Sequence, residues 1–315
     1  MSNAEIIGID HGNFQMKTPN DVFISKLKEY PAAPGERNQL NDILIYRNRY
    51  FEVSNKPGEI RMNKTDTDDY RLLTMIALAK ELRFRGLDPR TTKVRLAVGL
   101  PPGIYSEHTV KAFKEYLQKE NPMIFTYSNV GYQIDIVGVD VYAQGLGTLF
   151  YTDNEVLDEC PDQFILLDVG GGTSEMIGIE NGRMIRQTMT SVVKGVISLS
   201  ADIKNQCLMS MSKQFSDHQI FRILDGQVRS KTEREIKMIA DRVLKDFVHL
   251  LKDKGVSNEL YFDTMPVLLS GGGSKFLYDY FKAETESEQV YYEPDIKANA
   301  IGYEMISRAK QEKAA

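Results

Sequence analysis

Three short stretches place residues capable of phosphate and metal chemistry just past an apolar run. They are Asp10-His11-Gly12-Asn13, with Lys17 shortly after; Asp168-Val169-Gly170-Gly171-Gly172-Thr173; and Ser270-Gly271-Gly272-Gly273-Ser274. Glycine lets successive backbone N–H groups converge on an anion and lets that anion approach with no Cβ in the way. A carboxylate at a strand end, as at Asp10 and Asp168, suits a Mg²⁺ ion that keeps several waters and is held by few protein oxygens plus substrate phosphates. Lys17 would neutralise phosphate charge. Each loop taken singly also reads as a tight turn, with Asp10 and Asp168 capping it through their side chains. The repetition of Asp beside glycine favours ligand binding. Neither GxxxxGK[ST] nor GxGxxG follows a strand, so the phosphate sites of those motifs are excluded.

Such loops need strands before them and returns after them. EIIGIDHGNFQMKT reads as a β-hairpin turning at His11-Gly12-Asn13, and FILLDVGGGTSEMIGIENGRMI repeats that layout, with a second turn at Asn181-Gly182. MPVLLSGGGSKFLYDYF runs strand, glycine cluster, helix, leaving a free helix N-terminus at about Lys275 for phosphate or ribose. Around these, YRLLTMIALAKELRFRG spaces Leu72, Leu73, Ile76, Ala79, Lys80 and Arg83 as a helix stopped by Gly86. KVRLAVG is a strand, Ser106 opens a helix to about Glu120, and YQIDIVGVDVY alternates as a strand leading into AQGLGTLF. Helical stretches follow from Lys194 to Asn205 and after Asp217. A long helix then opens with a capping box at Ser230 and Glu233, carries a stripe through Ile236, Ile239, Val243, Phe247 and Leu250, and closes at Gly255. ANAIGYEMISRAK is the last helix.

The two halves share a layout, which predicts a duplicated α/β fold with a cleft between the halves. The expected domains are residues 1–155, with a small subdomain at about 30–65, and 156–315, with one at about 205–260. At 315 residues, 42% hydrophobic and 26% charged, the chain falls in the folded, water-soluble class and not the disordered or fibrous ones. A net charge of -5 with interspersed signs disfavours direct nucleic-acid binding. Cys160 and Cys207 stand far apart and the four histidines stand singly, which argues against zinc, disulfide or triad chemistry. No apolar run reaches the roughly 18 residues of a membrane helix, and no basic segment precedes an apolar one at the N-terminus. The expected address is cytoplasmic, without membrane contact.

IGIDHGNFQMK resembles the first phosphate loop of the actin-like ATPase superfamily, LLDVGGGTSEM its second, VLLSGGGS its adenosine loop and ANAIGY its second connecting helix. LAVGLPP and VDVYAQGLGTL are similar to the plasmid-segregating bacterial actins of the ParM type. The motifs span nearly the whole chain in order, while residues 30–65 and 205–230 carry none. The resemblance implies the duplicated ribonuclease-H-like, actin-like fold with a nucleotide cleft between its domains. It implies that Asp10 and Asp168 organise Mg²⁺ and its waters, and that Gly12, Asn13, Gly170, Gly171, Gly172 and Thr173 clasp the phosphates of ATP or GTP. Lys17 would contact those phosphates, and Gly271, Gly272 and Gly273 would approach the nucleoside. Gln144 falls where the family orients the attacking water, although it also reads as a polar residue opening a helix. Asn13 stands where relatives carry a hydroxyl, and His11 replaces a smaller polar residue, so phosphate contacts there rest on backbone N–H groups. The implied activity is triphosphate hydrolysis coupled to filament assembly for plasmid segregation. The implied partners are further copies of the chain and a DNA-binding adaptor of the ParR type. A small-molecule kinase and a non-polymerising actin-fold scaffold remain as alternatives.

Overall fold

The structure, a computed structural model, describes residues 4–35, 40–56, 58, 60–152, 157, 160–284 and 289–314. The chain divides into two compact units, Met1–Tyr151 with Lys297–Ala315, and Thr152–Ile296. The boundary expected near residue 155 lies outside the described residues.

The first unit holds β1 (Glu5–His11), β2 (Gln15–Lys17), β3 (Val22–Ile24), β4 (Leu27–Tyr30), β5 (Ile43–Tyr46), β6 (Arg49–Val53), β7 (Lys93–Leu100), β8 (Met123–Tyr127) and β9 (Val130–Ala143). They form one nine-stranded sheet in the order β3-β2-β1-β7-β9-β8-β5-β6-β4. At its centre β1, β7 and β9 run parallel. The apolar runs of β1 and of the second half of β7 are buried nearly throughout, as strands covered on both faces are, while β9 alternates until its last residues. Strands β4 to β6, from the segment expected as a small peripheral subdomain, extend this sheet. The length of β9 makes this possible: its first residues pair with β8 and its later ones with β7.

Helix α1 (Asp69–Phe84) stops before Gly86, whose φ of 66° suits the residue past a helix end. It is buried on most sides, Arg71 and Glu81 included. Those charges are tolerated because Glu81 accepts from both nitrogens of Asn20 and pairs with Arg85, while Arg71 donates to the Tyr46 hydroxyl and Glu120. Helices α2 (Glu107–Gln118) and α3 (Leu146–Tyr151) complete the contiguous part of the unit.

The C-terminal helix, here numbered last as α8 (Ala298–Ala314), belongs to the first unit and not to the second half where sequence order put it. Glycines explain the placement. A Cβ on Gly8 of β1 would lie 1.9 Å from the Ala300 carbonyl oxygen, and one on Gly302 would lie 1.8 Å from that of Gly147 in α3. Such approach is open only to backbones without side chains between them. Glu304 fastens the helix further, accepting from Gly8 N at 3.2 Å and pairing with Arg85 at 2.8 Å.

The second unit is built on a five-stranded sheet in the order β12-β11-β10-β13-β14. Its strands are β10 (Gln163–Val169), β11 (Ser174–Glu180), β12 (Arg183–Val192), β13 (Val267–Ser270) and β14 (Val290–Tyr292). Helices α4 (Val196–Met211), α5 (Asp217–Leu224), α6 (Lys231–Val256) and α7 (Ser274–Glu284) pack with it. The capping box of α6 is present: Ser230 accepts from Glu233 N, and Glu233 accepts from Ser230 N, both at 3.1 Å. Ile236, Val243 and Phe247 enter the core as the stripe required, but Leu251 takes the place expected of Leu250, which is exposed. Gly255 lies inside the last turn, against the Phe262 ring. Among the described residues no helix is long and apolar enough to cross a membrane.

Candidate functional site

Strand β1 ends at Asp10 and His11 and turns back into β2, so that Asp10 sits opposite Lys17 in the antiparallel pair. Opposed residues share a face, and the Lys17 ammonium donates to Asp10 Oδ2 at 2.9 Å. Gln144 reaches the same carboxylate from the end of β9. Its backbone N–H continues the β7 ladder to the Leu100 carbonyl, and its Nε2 donates to Asp10 Oδ1 at 3.0 Å. Three residues singled out in the sequence thus converge within one unit. Burial by itself opposes ionisation of Asp10, but the Lys17 charge and the bonds from Lys17 and Gln144 hold its carboxyl below the usual range.

The other two members of this loop behave differently. A Cβ on Gly12 would meet the Gln15 carbonyl oxygen at 2.6 Å, so the hairpin itself requires glycine there. Asn13 is buried, and its Oδ1 accepts from Arg61 N at 2.8 Å, the Tyr70 hydroxyl at 3.1 Å and the Lys64 ammonium at 3.3 Å.

In the second unit the loop Gly170 to Thr173 links β10 to β11 and closes with Gly170 N donating to Thr173 O at 2.9 Å. The first N–H groups of α4, at Val196 and Ile197, donate to the carbonyls of Gly170 and Gly171 at 3.1 and 2.9 Å. In a trans peptide the carbonyl and the next N–H point opposite ways. The N–H groups of Gly171 and Gly172 are therefore turned away from α4, as a pair of donors side by side. Gly195 makes this mounting possible, since a Cβ there would lie 2.4 Å from the Gly170 oxygen. Reading the sequence missed Gly195; its signal was a glycine just before an apolar helix start.

Asp168 pairs in register with Ser270 of β13, which brings the third loop alongside. Gly271 has φ 82°, and a Cβ on it would lie 2.2 Å from Asp168 Oδ1. Gly273 lies equally tightly against Val169 and Val196. Packing thus accounts for two of these glycines, while a Cβ on Gly272 would meet nothing nearer than Ile296 at 3.8 Å. Glu175, opposite Asp168 in β11, adds a second buried carboxylate and accepts from Ser191 Oγ. The sequence reading did not single it out.

Each oxygen of Asp10 carries one hydrogen bond, which leaves lone pairs for the waters of a hydrated cation. Among the described residues no group of three or more His, Cys, Asp or Glu stands ready to cage a metal. That donor set fits Mg²⁺ held through its waters and a substrate's phosphates.

Residues 8–147, from Gly8 of β1 past Gln144, match the family described as actin like proteins N terminal domain. Solved structures extend the likeness to the whole chain. The apo pSK41 ParM protein is 17% identical over 99% of both chains with a TM-score of 0.70. The archaeal actin homolog Ta0583 in complex with ADP is 15% identical over 97% of this chain and 99% of that one, with a TM-score of 0.73. The chain has the actin-like fold. The Alp12 filament structure is a further relative of this fold, 13% identical over 98% of this chain and 100% of that one, with a TM-score of 0.69. No curated protein sequence matches the chain.

In this actin-like chain His11 is buried beside Asp10, with Nε2 2.9 Å from Thr74 Oγ1. Thr74 gives its own proton to the Tyr70 carbonyl, so His11 donates to Thr74 through Nε2. Burial, and then the Lys64 charge, lower its pKa to about 3. Unfolded, the imidazole takes up a proton near pH 6.5, so between about pH 6.5 and 3 the unfolded state binds more protons and the fold weakens as pH falls. The unfolding free energy is expected to drop by roughly 2 kcal/mol from pH 6.5 to pH 5 on this account. Urea melts of the wild type and of His11→Gln, whose pH slope there should flatten, check it.

Proposed function

We propose that the protein is a nucleoside triphosphatase that assembles into filaments with its own copies, and that an adaptor of the ParR type links those filaments to plasmid DNA. The observation that carries this reading is the convergence of Lys17 and Gln144 on Asp10 at the end of the first strand of an actin-like fold. Structures of the same fold add support: Ta0583 was solved with ADP, and Alp12 as a filament.

On this reading the glycine loops supply backbone donors, those of Gly171 and Gly172 foremost, for the phosphates of ATP or GTP. Lys17 offsets phosphate charge next to Asp10. When bound, Mg²⁺ neutralises charge on the transferring phosphoryl group. Asp10 and Asp168 would hold it through its waters. Gln144, with its Nε2 anchored on Asp10, keeps its amide oxygen to accept a proton of the attacking water and so aim it. Bound triphosphate favours the assembling state, and hydrolysis removes that preference.

Purified protein with Mg²⁺ and either ATP or GTP is expected to sediment and scatter light, and then to release phosphate. Absence of assembly with both nucleotides would remove the filament reading, and absence of phosphate release the hydrolytic one.

A further inference from the structure

Asn13 stands in the loop where the resemblance implies a phosphate contact, yet its side-chain oxygen is engaged elsewhere. The Arg61 backbone N–H and the Lys64 ammonium can only donate, so the amide edge facing them is the oxygen. Turning the amide over would set its NH₂ against two groups that can only donate. The partners are themselves held: Lys64 is 2% exposed and Tyr70 4%, with the Lys64 ammonium 3.0 Å from the Tyr70 hydroxyl and 4.4 Å from its ring centroid. A buried, charge-assisted network of this kind fixes geometry more than a neutral contact does.

We propose that Asn13, Lys64 and Tyr70 form a buried latch that fixes the backbone of the first phosphate loop, and that Asn13 is a positioning residue and not a phosphate ligand. This rests on the reading of that loop as a phosphate loop. The latch ties the turn after β1 to the segment entering α1, so the loop's N–H groups are set before any ligand arrives. Preorganisation of that kind shows in affinity. Lys64 also places a positive charge behind the loop, close enough to oppose protonation of His11.

The test is titration of Mg·ATP and Mg·GTP against the wild type, N13A, N13D, K64M and the N13A/K64M pair, alongside thermal melts without nucleotide. N13A and K64M are each expected to weaken binding about tenfold, and the pair no more than either alone, because both remove one coupled unit. N13D is expected to bind within about threefold of wild type, since a carboxylate still accepts from all three donors and pairs with Lys64. A loss in N13D greater than in N13A would overturn the proposal, because it would mean the new charge meets phosphate. The melts should show the same lack of additivity, and additive losses would overturn the latch. If the wild type binds neither nucleotide, the triphosphatase reading fails while the melts still decide on the latch. If K64M does not fold, Y70F, which removes one donor to Asn13, replaces it in both cycles.

Discussion

Asp10→Ala is expected to cut triphosphate hydrolysis at least about a hundredfold, the scale of losing one preorganised group at a reacting centre. On the proposed function the carboxylate does two things at once. It would present charge for a hydrated cation, and it fixes both Lys17 and Gln144, at 2.9 and 3.0 Å. Without it the Gln144 amide loses its anchor and, with that, the aim on water proposed for it, so a small deletion would remove two contributions. Asp10→Asn separates them, since the amide oxygen can still accept from one partner while the charge is gone. Phosphate release measured with Mg²⁺ and saturating ATP or GTP checks the effect, with a thermal melt to establish that each variant is folded. Hydrolysis within tenfold of wild type in a folded Asp10→Ala protein would show that the chemistry lies elsewhere.

Gly302→Val is expected to cost at least about 3 kcal/mol of stability, and enough to prevent folding is within range. The added Cβ would stand 1.8 Å from the Gly147 oxygen and 2.4 Å from its carbonyl carbon, against backbone that has no rotamer to yield. The helices must therefore separate, and the contacts of α8 with Gly8 and Arg85 go with them. Gly131→Ala is the matched control, as the nearest atom to its Cβ is an Arg90 guanidinium nitrogen at 3.9 Å. It should stay within about 0.5 kcal/mol of wild type. Urea denaturation of the two variants side by side checks the contrast.

Local signals in the sequence were reliable wherever the physics was local. Alternating and apolar runs around glycine located both Asp-bearing hairpins, Ser230 and Glu233 located the start of α6, and Gly86 the end of α1. The pairing of Asp10 with Lys17 follows from hairpin register. What the sequence hid were contacts between distant segments. Nothing near Gly302 says that Gly147 must lie against it, and nothing near Asn13 says that Lys64 and Tyr70 will claim its side chain. Burial of α1 on most sides rests on such contacts too, because the charges of Arg71 and Glu81 are met by Tyr46, Glu120 and Asn20. Gly271 shows the converse: a glycine read as open to a nucleoside is needed to let a neighbouring carboxylate in.

The seating of α8 has a consequence for the order in which the protein is made. Ribosomes deliver a chain from its N-terminus, and domains usually fold as they emerge. Here the unit that begins first cannot finish first, because β1 has its covering helix at residues 298–314. The unit of residues 152–296 is contiguous and can complete itself while its predecessor still lacks a wall. During synthesis, Gly8 and its neighbours in β1 therefore remain a surface for chaperones to shield until the last helix arrives.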